Sequence, residues 1–149
     1  MENKSNILTG ITGEYYVAAE LSKKGLFAAI TLRNNEGCDI LLTNPNTNEQ
    51  FSIQVKTTWN RRKWVLNQKV EKETNRNHYY VFVNLFKEEK RPEFFIINSF
   101  ELAQNIKLGY DLWINTPGNK GQPHNDNNIR EFRDTEGIYL EKWDVFFMK

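Results

Sequence analysis

The chain has 149 residues with 39% hydrophobic and 26% charged side chains, a size and balance that fit one folded domain spanning 1–149 and argue against disorder. Its one cysteine, Cys38, excludes an internal disulfide framework and a cysteine-rich metal site, and its two distant histidines, His78 and His124, match no zinc-enzyme spacing. The net charge of +1 decides nothing about nucleic acid, but between Lys56 and Arg76 seven bases face two acids, enough to hold phosphates locally. The opening Met-Glu-Asn-Lys-Ser-Asn lacks an apolar core, and no apolar run approaches the ~18 residues that a membrane span needs. A cytoplasmic protein without membrane contact is the expectation.

In chain order, apolar residues at Ile7, Ile11, Val17, Ala18 and Leu21 predict a helix from about Thr9 to Lys24, stopped by Gly25. Three strands follow: Leu26 to Arg33, Gly37 to Thr43, and Phe51 to Thr58, the last two separated by the turn Asn44-Pro-Asn-Thr-Asn48. Leu66 to Arg76 reads as a helix. His78 to Phe86 and Glu93 to Ile97 read as strands, and Ser99 as the cap of a helix ending near Gly109. Pro117 to Asn128 is a polar surface loop. Short turns between the first three strands favour an antiparallel meander, and a helical crossover would add a parallel neighbour. The fold class is α/β, a mixed sheet flanked by helices.

Three positions break this pattern. Glu14 lies in phase with Ile7, Ile11, Ala18 and Leu21, which turns a carboxylate toward the sheet; an acid complementing the helix dipole in a first turn is the ordinary alternative. Asp39 opens a strand of hydrophobic residues, where a turn-bonding or solvent-facing aspartate is also an ordinary explanation. In Phe51-Ser-Ile-Gln-Val-Lys, alternation places Gln54 and Lys56 together, opposite Phe51, Ile53 and Val55. Asp39 followed by Gln-x-Lys across a turn can align three polar groups on adjacent strands, with Glu14 completing the set. Such a set suits phosphodiester cleavage: oxygen ligands hold Mg²⁺, the cation polarises the phosphoryl group and activates water, and an ammonium steadies developing charge.

At these residues the sequence resembles the PD-(D/E)XK, or restriction-endonuclease-like, nuclease superfamily. That resemblance rests on Thr12-Gly-Glu-Tyr-Tyr-Val-Ala-Ala-Glu-Leu21, Asp39 and Ile53-Gln-Val-Lys-Thr57, and is similar to a small bacterial group whose third strand reads I-Q-V-K-T. The homing-endonuclease and Holliday-junction-resolvase-like branches share the general plan. The resemblance implies Asp39, Gln54 and Glu14 as metal ligands and Lys56 as the water-orienting or charge-stabilising group. Mg²⁺ or Mn²⁺ is the implied cofactor, with no small-molecule cofactor, and DNA the implied partner. Gln54 replaces an acid, so its amide oxygen brings no charge to the metal. Cys38 stands where the family often has proline.

Beyond that motif, Arg61, Arg62 and Lys63 could hold phosphates, and Trp59 or Trp64 could stack on a base or pack as core. Trp113 and Trp143 are expected in the core, and His124 and Asp126 in a mobile loop. The leading reading is a Mg²⁺-dependent deoxyribonuclease. Two others remain: a nuclease-fold module that binds without cutting, hinted by Gln54, and a protein-interaction subunit or homo-oligomer, hinted by ten Phe, six Tyr and four Trp.

Overall fold

The computed structural model describes residues 2–32 and 37–148, with side-chain environments from residue 5 onward. Helix α1 spans Glu2–Lys23, starting a full two turns before the predicted Thr9. Its end follows the glycine signal. Gly25 takes φ +88°, its N–H bonds to Ser22 O, and Leu26 N–H reaches back 3.1 Å to Leu21 O. This pair of bonds satisfies the last carbonyls, and Leu26 and Leu21 are buried together beside it. The buried line of α1 is Gly13, Val17 and Leu21, with Ala18 packed beside it; of the expected stripe, Ile7 is exposed and Ile11 half-buried.

The strands β1 (Phe27–Ile30), β2 (Ile40–Thr43) and β3 (Gln50–Trp59) form the expected antiparallel meander. The predicted end of the first strand at Arg33 lies outside the described residues. After β4 (Lys63–Asn67), strand β5 (His78–Leu85) runs parallel to β3 over eight register pairs, from Ser52↔His78 to Trp59↔Leu85. Strand β6 (Glu93–Asn98) closes the sheet antiparallel to β5, giving the order β1-β2-β3-β5-β6.

The crossover from β3 to β5 departs from expectation. Leu66 to Arg76 contains no α-helix: it holds the end of β4 and a 3₁₀ turn, Gln68–Glu71, capped by Asn67. Trp64 and Leu66 are buried while Val65 and Asn67 are exposed, a strand alternation that pairs with β7 (Ile129–Arg133) through Trp64↔Phe132 and Leu66↔Arg130. A partner more than sixty residues away overrides the local helical pattern. Helix α2 spans Ser99–Ile114 and passes through Gly109. Its cap is Asn98, whose side chain accepts from Phe100 N–H; the Ser99 hydroxyl bonds the backbone of Asn75 instead, at 2.7 and 2.9 Å.

The sheet is covered unequally. One face carries Phe51, Ile53, Val55, Val81 and Val83 under α1 and the C-terminal Trp143 and Phe146. On the other face Tyr80, Phe82, Phe95 and Ile97 lie under the β4–β7 ribbon and α2. That second cover reaches β5 and β6 but leaves the same face of β2 open, where Leu41 is 54% exposed. Among the described residues no helix is long and apolar enough to cross a membrane.

Gly13 sets how closely α1 approaches. A Cβ built there would lie 1.9 Å from Thr57 Oγ1 on β3, and that buried hydroxyl has no hydrogen-bond partner. Gly13→Ala is therefore expected to destabilise the protein by about 1–3 kcal/mol through overpacking, against the roughly 1 kcal/mol of helix propensity it gains. Urea denaturation of Gly13→Ala, Thr57→Ala and the double variant checks this. The double variant should recover most of the loss, and an unperturbed Gly13→Ala would show that the contact does not set the helix height.

Candidate active site

Asp39 sits where β2 is about to begin. Its N–H bonds Ile53 O at 2.8 Å, one residue out of the β2–β3 register, and its carbonyl accepts from Thr31 N–H at 2.9 Å, continuing the β1–β2 ladder. Its side chain adds a third link: Oδ2 accepts the Val55 N–H at 2.7 Å. A backbone N–H of a strand points within the sheet, so this carboxylate lies in the sheet plane against Val55. The ladder's last register pair is Ile40↔Ile53, and Asp39 N–H also reaches Ile53 O, so Asp39 is an extra residue opposite Ile53 whose carboxylate reaches on past Gln54 to Val55. Gln54 and Lys56 flank Val55 and share the face of Ser52. Asp39, Gln54 and Lys56 are thus brought together, all half-buried.

Glu14 is placed differently. Helix α1 lies over Val55 and Thr57, the face opposite to Gln54 and Lys56. Glu14 is half-buried, one residue beyond the Gly13–Thr57 contact, and is engaged within the protein. Asp39, in the plane of the sheet, stands between the two faces. Cys38, in the position before Asp39, is half-buried and its thiol is held above the ordinary value chiefly by burial, so it stays protonated.

The site face carries two residues that the sequence reading passed over. His78 begins β5 beside Ser52, and its Nδ1 lies 2.7 Å from Ser52 Oγ. Burial lowers its pKa below 6.5, opposed by Glu73, Ser52 and Asp39. Tyr80, the register partner of Gln54, is buried with its phenol pushed up to about 12, chiefly by burial and also by Glu73; it is a neutral wall of the site. The only sequence-level signal for His78 was the parallel register, which needs the crossover to be known.

The oxygen donors at Asp39 and Gln54 suit a hard cation. Among the described residues no three His, Cys, Asp or Glu side chains gather in one place. This set fits Mg²⁺, which typically takes one or two carboxylates, keeps several waters and shares substrate phosphates. It does not fit a cation that demands a full protein cage.

The basic turn after β3 is partly spent on the protein itself. Arg62 donates twice to Glu93 and once to Thr135 O; that hydrogen-bonded pair holds Glu93 below the usual carboxylate range and raises the guanidinium. Lys63 pairs with Glu131 at 2.8 Å. Arg61 is exposed, uses only its backbone N–H and carbonyl, and among the described residues its guanidinium has no partner. Arg133 lines the same 470 Å³ depression. Trp64 is core, donating to Val83 O at 3.1 Å, whereas Trp59 is exposed and donates to Thr9 Oγ1. Trp143 is core as expected. Trp113 is not: it is exposed and stacks on His124 at 4.2 Å. Asp126 accepts from the Tyr110 hydroxyl.

The chain matches no protein-family model and no curated protein. Its structure resembles that of a bacterial homing endonuclease, I-Ssp6803I, at 13% identity and a TM-score of 0.50, over 93% of this chain and 88% of that one. It also resembles Hjc, a Holliday junction resolvase from the archaeal hyperthermophile Archaeoglobus fulgidus, at 14% identity and a TM-score of 0.53, over 94% and 97%. At such identities the likeness speaks to the fold. With a helix, an antiparallel meander, a parallel neighbour and flanking helices on a five-stranded mixed sheet, this chain has the restriction-endonuclease-like fold found in PD-(D/E)XK nucleases.

Proposed function

We propose that this chain is a single-domain cytoplasmic endonuclease that hydrolyses DNA phosphodiester bonds with Mg²⁺ or Mn²⁺. The observation that carries this reading is the Asp39 carboxylate held by Val55 N–H, between Gln54 and Lys56 of β3, beside the face of β2 that the β4–β7 ribbon and α2 leave open. Asp39 and Gln54 hold the cation, joined by Glu14 if α1 brings it round the sheet. The cation, when bound, supplies positive charge to the phosphoryl group. Lys56 donates from its ammonium to the oxygens on which charge accumulates. Asp39 is locked in one orientation by its amide bond, so the site is pre-organised before substrate arrives.

Arg61 is the base best placed for a phosphate, because its charge is not matched within the described protein. Arg62 and Lys63 also bear on phosphates, though each must share its charge with Glu93 or Glu131. A binding module without catalysis is the second reading, favoured by Gln54 and by the small number of carboxylates at the site.

Cleavage of supercoiled and linear DNA with Mg²⁺ or Mn²⁺ is the direct test. Asp39→Ala and Lys56→Ala should each lower the rate by about 100-fold or more while circular dichroism stays native. Gln54→Glu should lower the Mg²⁺ concentration for half-maximal cleavage by adding the missing charge. DNA binding without cleavage by folded wild type under all metals would favour the binding module. In a salt titration of binding, Arg61→Ala should reduce the slope of log K against log salt by about 1; an unchanged slope would take Arg61 out of the interface.

A further inference from the structure

The three residues at the site include no good proton acceptor. Asp39 has one oxygen bonded to Val55 N–H, and under the nuclease reading its other oxygen would be committed to the cation. A glutamine amide is no base, and a lysine ammonium donates. Hydrolysis nevertheless requires that the attacking water lose a proton.

His78 is the one imidazole on this face. Ser52 and Gln54 are two residues apart on β3, about 6.6 Å along the strand, and β5 lies about 4.8 Å to the side. His78, the register partner of Ser52, therefore lies diagonally across from Gln54 on the β5 side, and Asp39 lies on the β2 side. Asp39 is the smallest of the influences on the ring, raising its pKa against the larger effect of burial. The ring edge packs on Tyr80 with centroids 5.1 Å apart, and Nδ1 is held by Ser52. Nε2 has no hydrogen-bond partner among the described residues. A cleft of about 590 Å³ opens over the ring, lined by Cys38, Leu41, Ser52, Lys72, Glu73 and His78, and it borders the Asp39–Gln54–Lys56 set through Cys38 and Ser52.

We propose that His78 is a further catalytic residue of the Asp39–Gln54–Lys56 site, its Nε2 accepting the proton of the water that attacks phosphorus. This rests on the nuclease reading above. In the required tautomer Nδ1–H donates to Ser52 Oγ, which leaves the Nε2 lone pair toward the cleft. As the water oxygen bonds to phosphorus, its proton passes to Nε2 and the bond from phosphorus to the leaving ester oxygen breaks. That oxygen takes a proton from a second water, and the imidazolium returns its proton to the hydroxide so formed. The groups facing His78 are Asp39 from just before β2, Glu73 and Lys72 from the segment before β5, and the Tyr80 phenol on β5 itself. Burial outweighs the acids among them, so the ring is neutral near pH 7.

Rates of plasmid cleavage test this with His78→Ala, alongside wild type and Asp39→Ala. His78→Ala should cut about 100-fold more slowly or worse, with DNA affinity and circular dichroism retained. Added imidazole should restore activity to His78→Ala, in proportion to its free-base concentration, and leave Asp39→Ala dead. The acid limb of the wild-type profile should fall below pH 6.5 and vanish in His78→Ala, matching the His78 midpoint read by NMR. Wild-type cleavage with His78→Ala equally active, or slow but unresponsive to imidazole, overturns the role of His78 alone. Absence of cleavage by wild type overturns the nuclease reading and this inference with it.

Discussion

The hydrogen bond from Val55 N–H to Asp39 Oδ2 is the constraint on which the site depends. In an antiparallel pair each inward N–H needs a carbonyl from the facing strand. At the start of β2 the chain is only just joining the sheet, and a side-chain oxygen takes the place of that carbonyl. The substitution satisfies a strand amide that would otherwise go unpaired. It also fixes a carboxylate in the plane of the sheet, midway along β3, without committing it to either face. A carboxylate in an ordinary strand position would project to one side only, and it would rotate.

What lies around that bond follows from unequal cover. Helix α1 comes down on Val55 and Thr57 as closely as a residue without a side chain allows, because Gly13 sits over the Thr57 hydroxyl. The opposite face is roofed by the β4–β7 ribbon and α2 only as far as β5 and β6. The boundary of the roof falls along β3. Ser52, Gln54 and Lys56 are therefore half-buried: held by neighbours on one side and open to a substrate on the other. Half-burial gives a polar side chain a defined orientation while leaving it reachable, a combination that neither the core nor a free surface provides.

Much of this was legible because it is local. Period-two alternation and the Asn-Pro turn gave the meander, and the Gly25 stop was readable because a positive φ there needs glycine. The antiparallel pairing of β2 with β3 was readable because a short turn leaves few registers. The misses share one cause, which is partners distant in sequence. Leu66 reads as helix until Phe132 and Arg130 of β7 are set beside β4. Ser99 reads as a cap until Asn75 claims its hydroxyl. Trp113 has a core residue's composition, yet near the end of α2 it meets only the rings of Tyr110 and His124 among the described aromatic residues. Glu14 fell in phase with a stripe drawn through Ile7, but the true contact line runs through Gly13, which no hydropathy scale marks as buried.

The same logic explains why His78 escaped notice. In sequence it is a lone polar residue at the head of an apolar strand, with nothing to tie it to Gln54 twenty-four positions earlier. The parallel pairing of β3 and β5 makes Ser52 its neighbour. A parallel register is set by the whole crossover, and here that crossover is a strand and a 3₁₀ turn where a helix was expected. Burial on the Tyr80 side keeps the ring uncharged, and the open side of the sheet keeps it accessible. In a family motif the acid at the Gln54 position supplies charge to the metal. Replacing it with an amide removes that charge and also leaves the local field less hostile to a neutral base nearby. Gln54 and His78 thus share one face of the sheet, joined through the Ser52↔His78 and Gln54↔Tyr80 pairs.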